Sequence, residues 1–82
     1  MFINKTTDGK NNICGTQISA IRISMHISQR ELADRLQIAG LDIDKNAIQR
    51  IEAGKRFVTD IELVIISKVL DTPLENLLSI KQ

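Results

Sequence analysis

Two runs decide the fold of this chain: Ser28-Gln29-Arg30-Glu31-Leu32-Ala33-Asp34-Arg35-Leu36, and then Asp44-Lys45-Asn46-Ala47-Ile48-Gln49-Arg50-Ile51-Glu52-Ala53-Gly54-Lys55-Arg56. Ser28 and Glu31 stand three apart at the head of an apolar-periodic stretch, which is the spacing of a capping box. There the hydroxyl accepts from the N3 amide, and the N3 carboxylate reaches back to the amide of the cap. Leu32, Ala33 and Leu36 then share one face and predict a helix over 28–39. Gly40 supplies a left-handed residue just past its end, and Leu41 is placed to pack back on Leu36, as in a Schellman motif. In the second run Asp44 is an N-cap, Ile48 and Ile51 point one way, and Gly54 stops a helix over 45–53. Lys45, Asn46, Gln49 and Arg50 are left facing outward.

The same start signal recurs. Thr59-Asp60-Ile61-Glu62 and Thr72-Pro73-Leu74-Glu75 both fit the capping box, and Pro73 adds the preferred first helical residue. They predict helices over 60–70 and 73–79. The first is apolar on several sides (Ile61, Leu63, Val64, Ile65, Ile66, Val69, Leu70) and is expected to be central and mostly buried. The second is expected to bury Leu74, Leu77 and Leu78. Upstream, Ile18, Ile21 and Met25 mark a helix over about 16–25. His26 follows it at a helix-ending position and can substitute for Gly, because histidine tolerates positive φ. Ile38, Leu41 and Ile43 make the 37–43 link apolar, so it is expected to be an ordered hinge anchored by all three. Residues 1–13 are polar apart from Phe2, Ile3 and Ile13 and read as a flexible arm before a domain over 14–82. The fold class is all-α, with five short helices and no strand period.

Eighty-two residues make one domain with a small core. Two Phe and no Tyr or Trp argue against single-strand recognition by base stacking. The net charge is only +1, but it is unevenly spread: residues 1–30 and 44–56 are net basic, and 57–82 are net acidic. A basic front and an acidic back suit a protein that faces a polyanion on one side. One cysteine, Cys14, excludes an internal disulfide. No signal-peptide pattern and no membrane-length apolar run is present, which points to the cytoplasm.

The outward residues of the third helix carry the chemistry. Lys and Arg donate to guanine O6 and N7, and Asn and Gln pair with adenine N6 and N7. Lys45, Asn46, Gln49 and Arg50 therefore form a base-reading set shaped for a major groove. The N-terminus of the second helix offers free amides with Gln29 and Arg30 to a phosphate. Gly54-Lys55-Arg56 offers amides and two cations to another. Cys14 and His26 are the only thiol and imidazole, too few for a metal site, and no third group completes a nucleophilic pair. Neither catalysis nor a cofactor is implied.

From about Gly15 to Ser79 the chain resembles the phage-repressor (Cro/Xre-like) helix-turn-helix family. The resemblance rests on Ser28-Gln29 with Glu31-Leu32-Ala33, on Ile48-x-x-Ile51-Glu52-x-Gly54-Lys55-Arg56, and on the fourth helix leading into Leu77-Leu78. It implies a compact five-helix repressor-type domain whose third helix is the recognition helix. By position, Lys45, Asn46, Gln49 and Arg50 then face bases, while Gln29, Lys55 and Arg56 meet phosphates. It also implies an ion pair between Arg22 and Glu52. The connection from Leu36 to Ile48 is longer than in a compact member of the family.

These readings converge on sequence-specific binding of double-stranded DNA by a transcriptional regulator. One recognition helix touches few base pairs, so a homodimer on a dyad-symmetric site is expected, joined through these helices or the N-terminal arm because no separate dimerisation domain is evident. The alternative is a protein-binding adaptor, such as an antitoxin-type partner, with DNA binding secondary.

Overall fold

The computed structural model describes residues 5–6 and 8–78, and its helices run in the order α1 (Gly15–Ser24), α2 (Gln29–Ile38), α3 (Lys45–Glu52), α4 (Asp60–Val69) and α5 (Leu74–Leu77). Their starts are set by side chains. Ser28, Asp44 and Thr59 each sit in extended backbone and accept a hydrogen bond from the amide three residues on, which satisfies one of the donors a helix leaves orphaned. Only at Thr59 is the capping box complete, with Glu62 returning to the Thr59 amide. At Ser28 the box is half-formed, because Glu31 swings forward to Arg35 one turn away. At α1 the capping acceptor is Asn12, whose Oδ1 takes the Gly15 amide at 2.9 Å.

The third box, at Thr72, does not form. Pro73 adopts φ −61° and ψ 145°, so it is itself the extended cap residue, and α5 starts one residue later than expected. Thr72 Oγ1 accepts from the Asn76 side chain instead. Of the expected helix over 73–79, residue 79 lies outside the described residues, as do residues 1–4 and 7 of the arm.

The four longer helices all end in the same way. The residues after their C-caps, His26, Gly40, Gly54 and Asp71, have φ of 60°, 99°, 77° and 51°. The amide of the next residue then bonds a carbonyl five positions back: Ile27 to Arg22, Leu41 to Leu36, Lys55 to Arg50 and Thr72 to Ser67. These are Schellman motifs, and two of them use a residue with a Cβ.

The core is aliphatic. Ile18, Leu32, Leu36, Ile48, Ile51, Ile66 and Leu77 are fully enclosed, with Ile27, Ile43, Leu63 and Leu70 around them. In packing order α3 lies on α1 and α2, while α4 and α5 lie on α2, on α1 and on each other. No further layer covers α4 and α5 among the described residues, and this corrects two expectations. Ile61 is 72% exposed and Val64 40%, so α4 is one-sided rather than central. Leu74 and Leu78 also stay exposed, and in α5 only Leu77 is enclosed.

The 37–43 link is tied down by the Leu41–Leu36 backbone bond, by Gln37 Nε2 donating to the Ile43 carbonyl at 2.9 Å, and by burial of the Ile43 side chain. Ile38 is not one of its anchors. It is 88% exposed, because on α2 it stands opposite Leu32, Ala33 and Leu36, the face that meets the core.

Candidate nucleic-acid interface

A short helix is a useful reading head only if it is held at both ends and bare on one side, and α3 has both properties. Asp44 Oδ1 caps its start at 2.8 Å from the Ala47 amide, and its end closes on Gly54. Ile48 and Ile51, each 1% exposed, fix its inner face. Lys45, Gln49, Asn46 and Arg50 follow one another around the outer face over an arc of roughly 140°, given 3.6 residues per turn. All four are exposed. Among the described residues none of their side chains holds a hydrogen bond or ion pair, so their donors and acceptors remain available.

Glu52 holds this helix to the rest of the domain. Its carboxylate takes Arg22 Nε at 2.7 Å and Arg22 Nη2 at 3.1 Å, a two-point pair with side chains only 13% and 8% exposed. Arg22 Nη1 also donates to the Ile27 carbonyl at 2.9 Å. The structure thus brings Arg22 and Glu52 together, and it adds Gln29, whose Nε2 donates to Glu52 Oε1 at 3.0 Å. Gln29 is therefore turned toward the base of α3, with part of its donor capacity already committed. What α2 still offers an anion is its first-turn amides at Gln29 and Arg30, which have no intrahelical acceptor. Arg30 is exposed and shares a groove with Lys45, Asn46 and Gln37, along with the carboxylates of Asp34 and Asp44.

The segment after α3 differs from its sequence reading. The amides of Gly54, Lys55 and Arg56 are all used internally, on the carbonyls of Ile51 and Arg50. Arg56 forms a two-point pair with Glu62, at 3.1 and 2.9 Å, and donates to the Phe57 carbonyl. This hydrogen-bonded pairing holds the Glu62 carboxyl below its ordinary range and raises the Arg56 guanidinium further. Arg56 thus docks the loop onto the start of α4, and Lys55 is the open cation of this segment. Sequence reasoning placed Glu62 only in its capping box, because nothing in the spacing of 56 and 62 says that one carboxylate serves both a cap and an arginine.

It also missed Asn11 and Asn12. Asn12 Nδ2 donates to the carbonyls of Ile51 and Arg56, at 3.1 and 2.7 Å, and Asn11 bonds Gly54 and Lys55. Residues 10–12, assigned by sequence to a flexible arm, are thus laced to the end of α3. Gly15 allows the contact, since a Cβ there would overlap the Ile51 carbonyl oxygen. Cys14, next to it, is 3% exposed, and burial pushes its thiol up. It lies at the opposite end of α1 from His26, about 15 Å of helix away. No cluster of three or more His, Cys, Asp or Glu able to hold a metal occurs among the described residues, and no helix there is long and apolar enough to cross a membrane.

A capped helix with four exposed polar side chains, buttressed by a second helix whose N-terminus lies alongside, defines a helix-turn-helix DNA-binding regulator. Comparison with known proteins agrees. The helix-turn-helix family model matches residues 18–77, and the chain belongs to that family, in its Cro/Xre-like branch. Among solved structures it is similar to the restriction-modification controller protein C.AhdI from Aeromonas hydrophila. That match has a TM-score of 0.65 and 25% identity, and it covers 78% of this chain and 86% of that one. No curated protein matches the sequence.

Proposed function

We propose that the protein regulates transcription by binding duplex DNA as a homodimer, with α3 of each copy in a major groove. Lys45, Asn46, Gln49 and Arg50 read base edges; Arg30, the first-turn amides of α2 and Lys55 meet phosphates. Gln29 and Arg56 chiefly hold the reading head in place. The observation that carries this reading is the open face of α3, where four donors and acceptors stand free on a helix fixed at both ends. A second copy fits the outward apolar residues of α4 and α5, Ile61, Val64, Leu74 and Leu78. None of these residues belongs to the outer face of α3, so pairing through them need not use its polar side chains. The likeness to a restriction-modification controller makes control of such a gene pair the first regulatory role to test, in the cytoplasm where the DNA lies.

Selection from a random duplex pool is the test. The expected result is a dyad-symmetric motif with half-sites about 34–36 Å apart. On that motif Arg50→Ala costs about 1–3 kcal/mol and relaxes preference at one or two positions. A pool that stays random, with the protein instead captured by a protein partner, refutes the reading in favour of an adaptor.

A further inference from the structure

The cations at the C-terminal end of α3 come from a part of the chain that the helix-turn-helix itself does not contain. Arg56 is paired with Glu62, and the amides of 54–56 are engaged, which leaves Lys55. Two more lysines from the N-terminal segment take places beside it. The stem of Lys10 lies on Gly54, its Cγ and Cδ 2.9 Å from where a Cβ would stand. Asn11 donates its backbone amide to the Gly54 carbonyl at 2.8 Å and its side-chain amide to the Lys55 carbonyl at 2.9 Å. The Oδ1 of the same asparagine receives Lys5 Nζ at 2.9 Å. One side chain therefore joins Lys5 to the backbone of Lys55, with the Lys10 stem on the neighbouring Gly54.

Asp8 accepts from the Thr6 hydroxyl and lies close enough to Lys10 to feel its charge. Lys5, Lys10 and Lys55 are thus carried on adjoining backbone, and like charges that come within a Debye length of about 8–10 Å repel. A polyanion relieves that repulsion. Phosphates follow one another about every 3.4 Å of axis along one strand, so lysines carried on adjoining backbone can meet neighbouring phosphates.

We propose that Lys5, Lys10 and Lys55 form one phosphate-binding site, which grips the DNA backbone beyond the C-terminal end of α3 and outside the base-reading face. The proposal rests on the duplex-binding reading above. It assigns the N-terminal segment a fixed place in the DNA footprint, set by Asn11 and Asn12 rather than by wrapping around the duplex.

The test is a salt titration of binding, by fluorescence anisotropy, to a duplex recovered from the random-pool selection. Lys5→Gln with Lys10→Gln keeps the stem that covers Gly54 and removes both charges. Each lost phosphate contact lowers the slope of log K against log salt by about 0.9. The double variant should therefore flatten the slope by about 1.8 and weaken binding roughly 30-fold at 0.15 M salt, with base preference unchanged. Lys68→Gln, on exposed α4, should leave the slope alone. A double variant with the full wild-type slope overturns the site while leaving DNA binding intact. Equal flattening by Lys68→Gln also overturns it, since the effect would then be one of overall charge. Failure of the wild-type protein to bind any duplex overturns the duplex-binding reading itself, and it appears before any variant is made.

Discussion

Glu52→Gln tests whether α3 is held in place by charge. The substitution keeps the size and shape of the side chain and removes the anion from a site with three donors: Arg22 Nε, Arg22 Nη2 and Gln29 Nε2. An amide can present only one oxygen, so its NH2 group is forced against one N–H of Arg22, and the guanidinium keeps one neutral acceptor there besides the Ile27 carbonyl. Removing one partner of a fully buried pair costs roughly 3–5 kcal/mol, because the other charge is left without compensation. The side chains here retain 13% and 8% exposure, so water recovers part of that, and about 2–4 kcal/mol is the expected loss. In a domain of this size each kcal/mol moves Tm by about 4–8 °C, which gives a drop of roughly 8–32 °C. Circular dichroism melts at pH 7 measure it. Operator affinity well below both melting temperatures should change little, because no base-reading side chain is touched. A double-mutant cycle with Arg22→Met should give a coupling of at least about 1 kcal/mol. A thermally neutral Glu52→Gln, or a cycle that is simply additive, would refute the reasoning.

Three further outcomes follow from the backbone and from the second ion pair. His26→Gly and Asp71→Gly relieve left-handed residues at φ 60° and 51°, and calorimetry should show each to be stabilising by about 0.5–1 kcal/mol. Destabilisation would mean that these side chains make contacts worth more than the strain. Gly15→Ala should cost about 2–3 kcal/mol in urea unfolding despite alanine's higher helix propensity, because its Cβ meets the Ile51 carbonyl oxygen. An unchanged midpoint would show that α1 can slide away from α3. Glu62 has a depressed folded pKa, caused first by its hydrogen bond with Arg56, so the stability it contributes is present above the ordinary carboxylate range and is lost as pH falls through the folded value. Glu62→Gln should accordingly be less stable than wild type at pH 7 and differ from it much less at pH 3; a gap that is constant with pH would count against the pairing.

The starts of α2, α3 and α4 were legible because Ser28, Asp44 and Thr59 are local devices: cap and capped amide lie within one turn, and spacing alone specifies them. The inner and outer faces of α3 were legible for the same reason, since Ile48 and Ile51 leave only one side for Lys45, Asn46, Gln49 and Arg50. Contacts that depend on distant partners were not. Arg56 looks like a free cation until α4 brings Glu62 to it, and Asn11 and Asn12 look like arm residues until they meet carbonyls some 39–44 positions away. Periodicity also cannot count layers. The apolar residues of α4 would suit a buried helix, yet among the described residues nothing lies outside Ile61 and Val64. At Thr72 the local signal itself misled, because Pro73 satisfies both a cap and a first-turn position, and its backbone chose the cap.

The constraints on α3 concentrate at one end, and that arrangement bears on function. The Ile51 carbonyl accepts from Gly54 and from Asn12, and Gly15 presses against it. One residue on, Glu52 takes Arg22 and Gln29; a turn later Arg56 takes Glu62. None of these groups belongs to the set proposed to read bases. A helix clamped through its carbonyl end and its inner face does not depend on its outward side chains for its position. Exposed residues without internal partners usually change stability by less than about 0.5 kcal/mol when replaced. On the proposed function, Lys45, Asn46, Gln49 and Arg50 can therefore vary, and with them the DNA sequence that is read, while the angle at which α3 is presented stays fixed by residues outside that set.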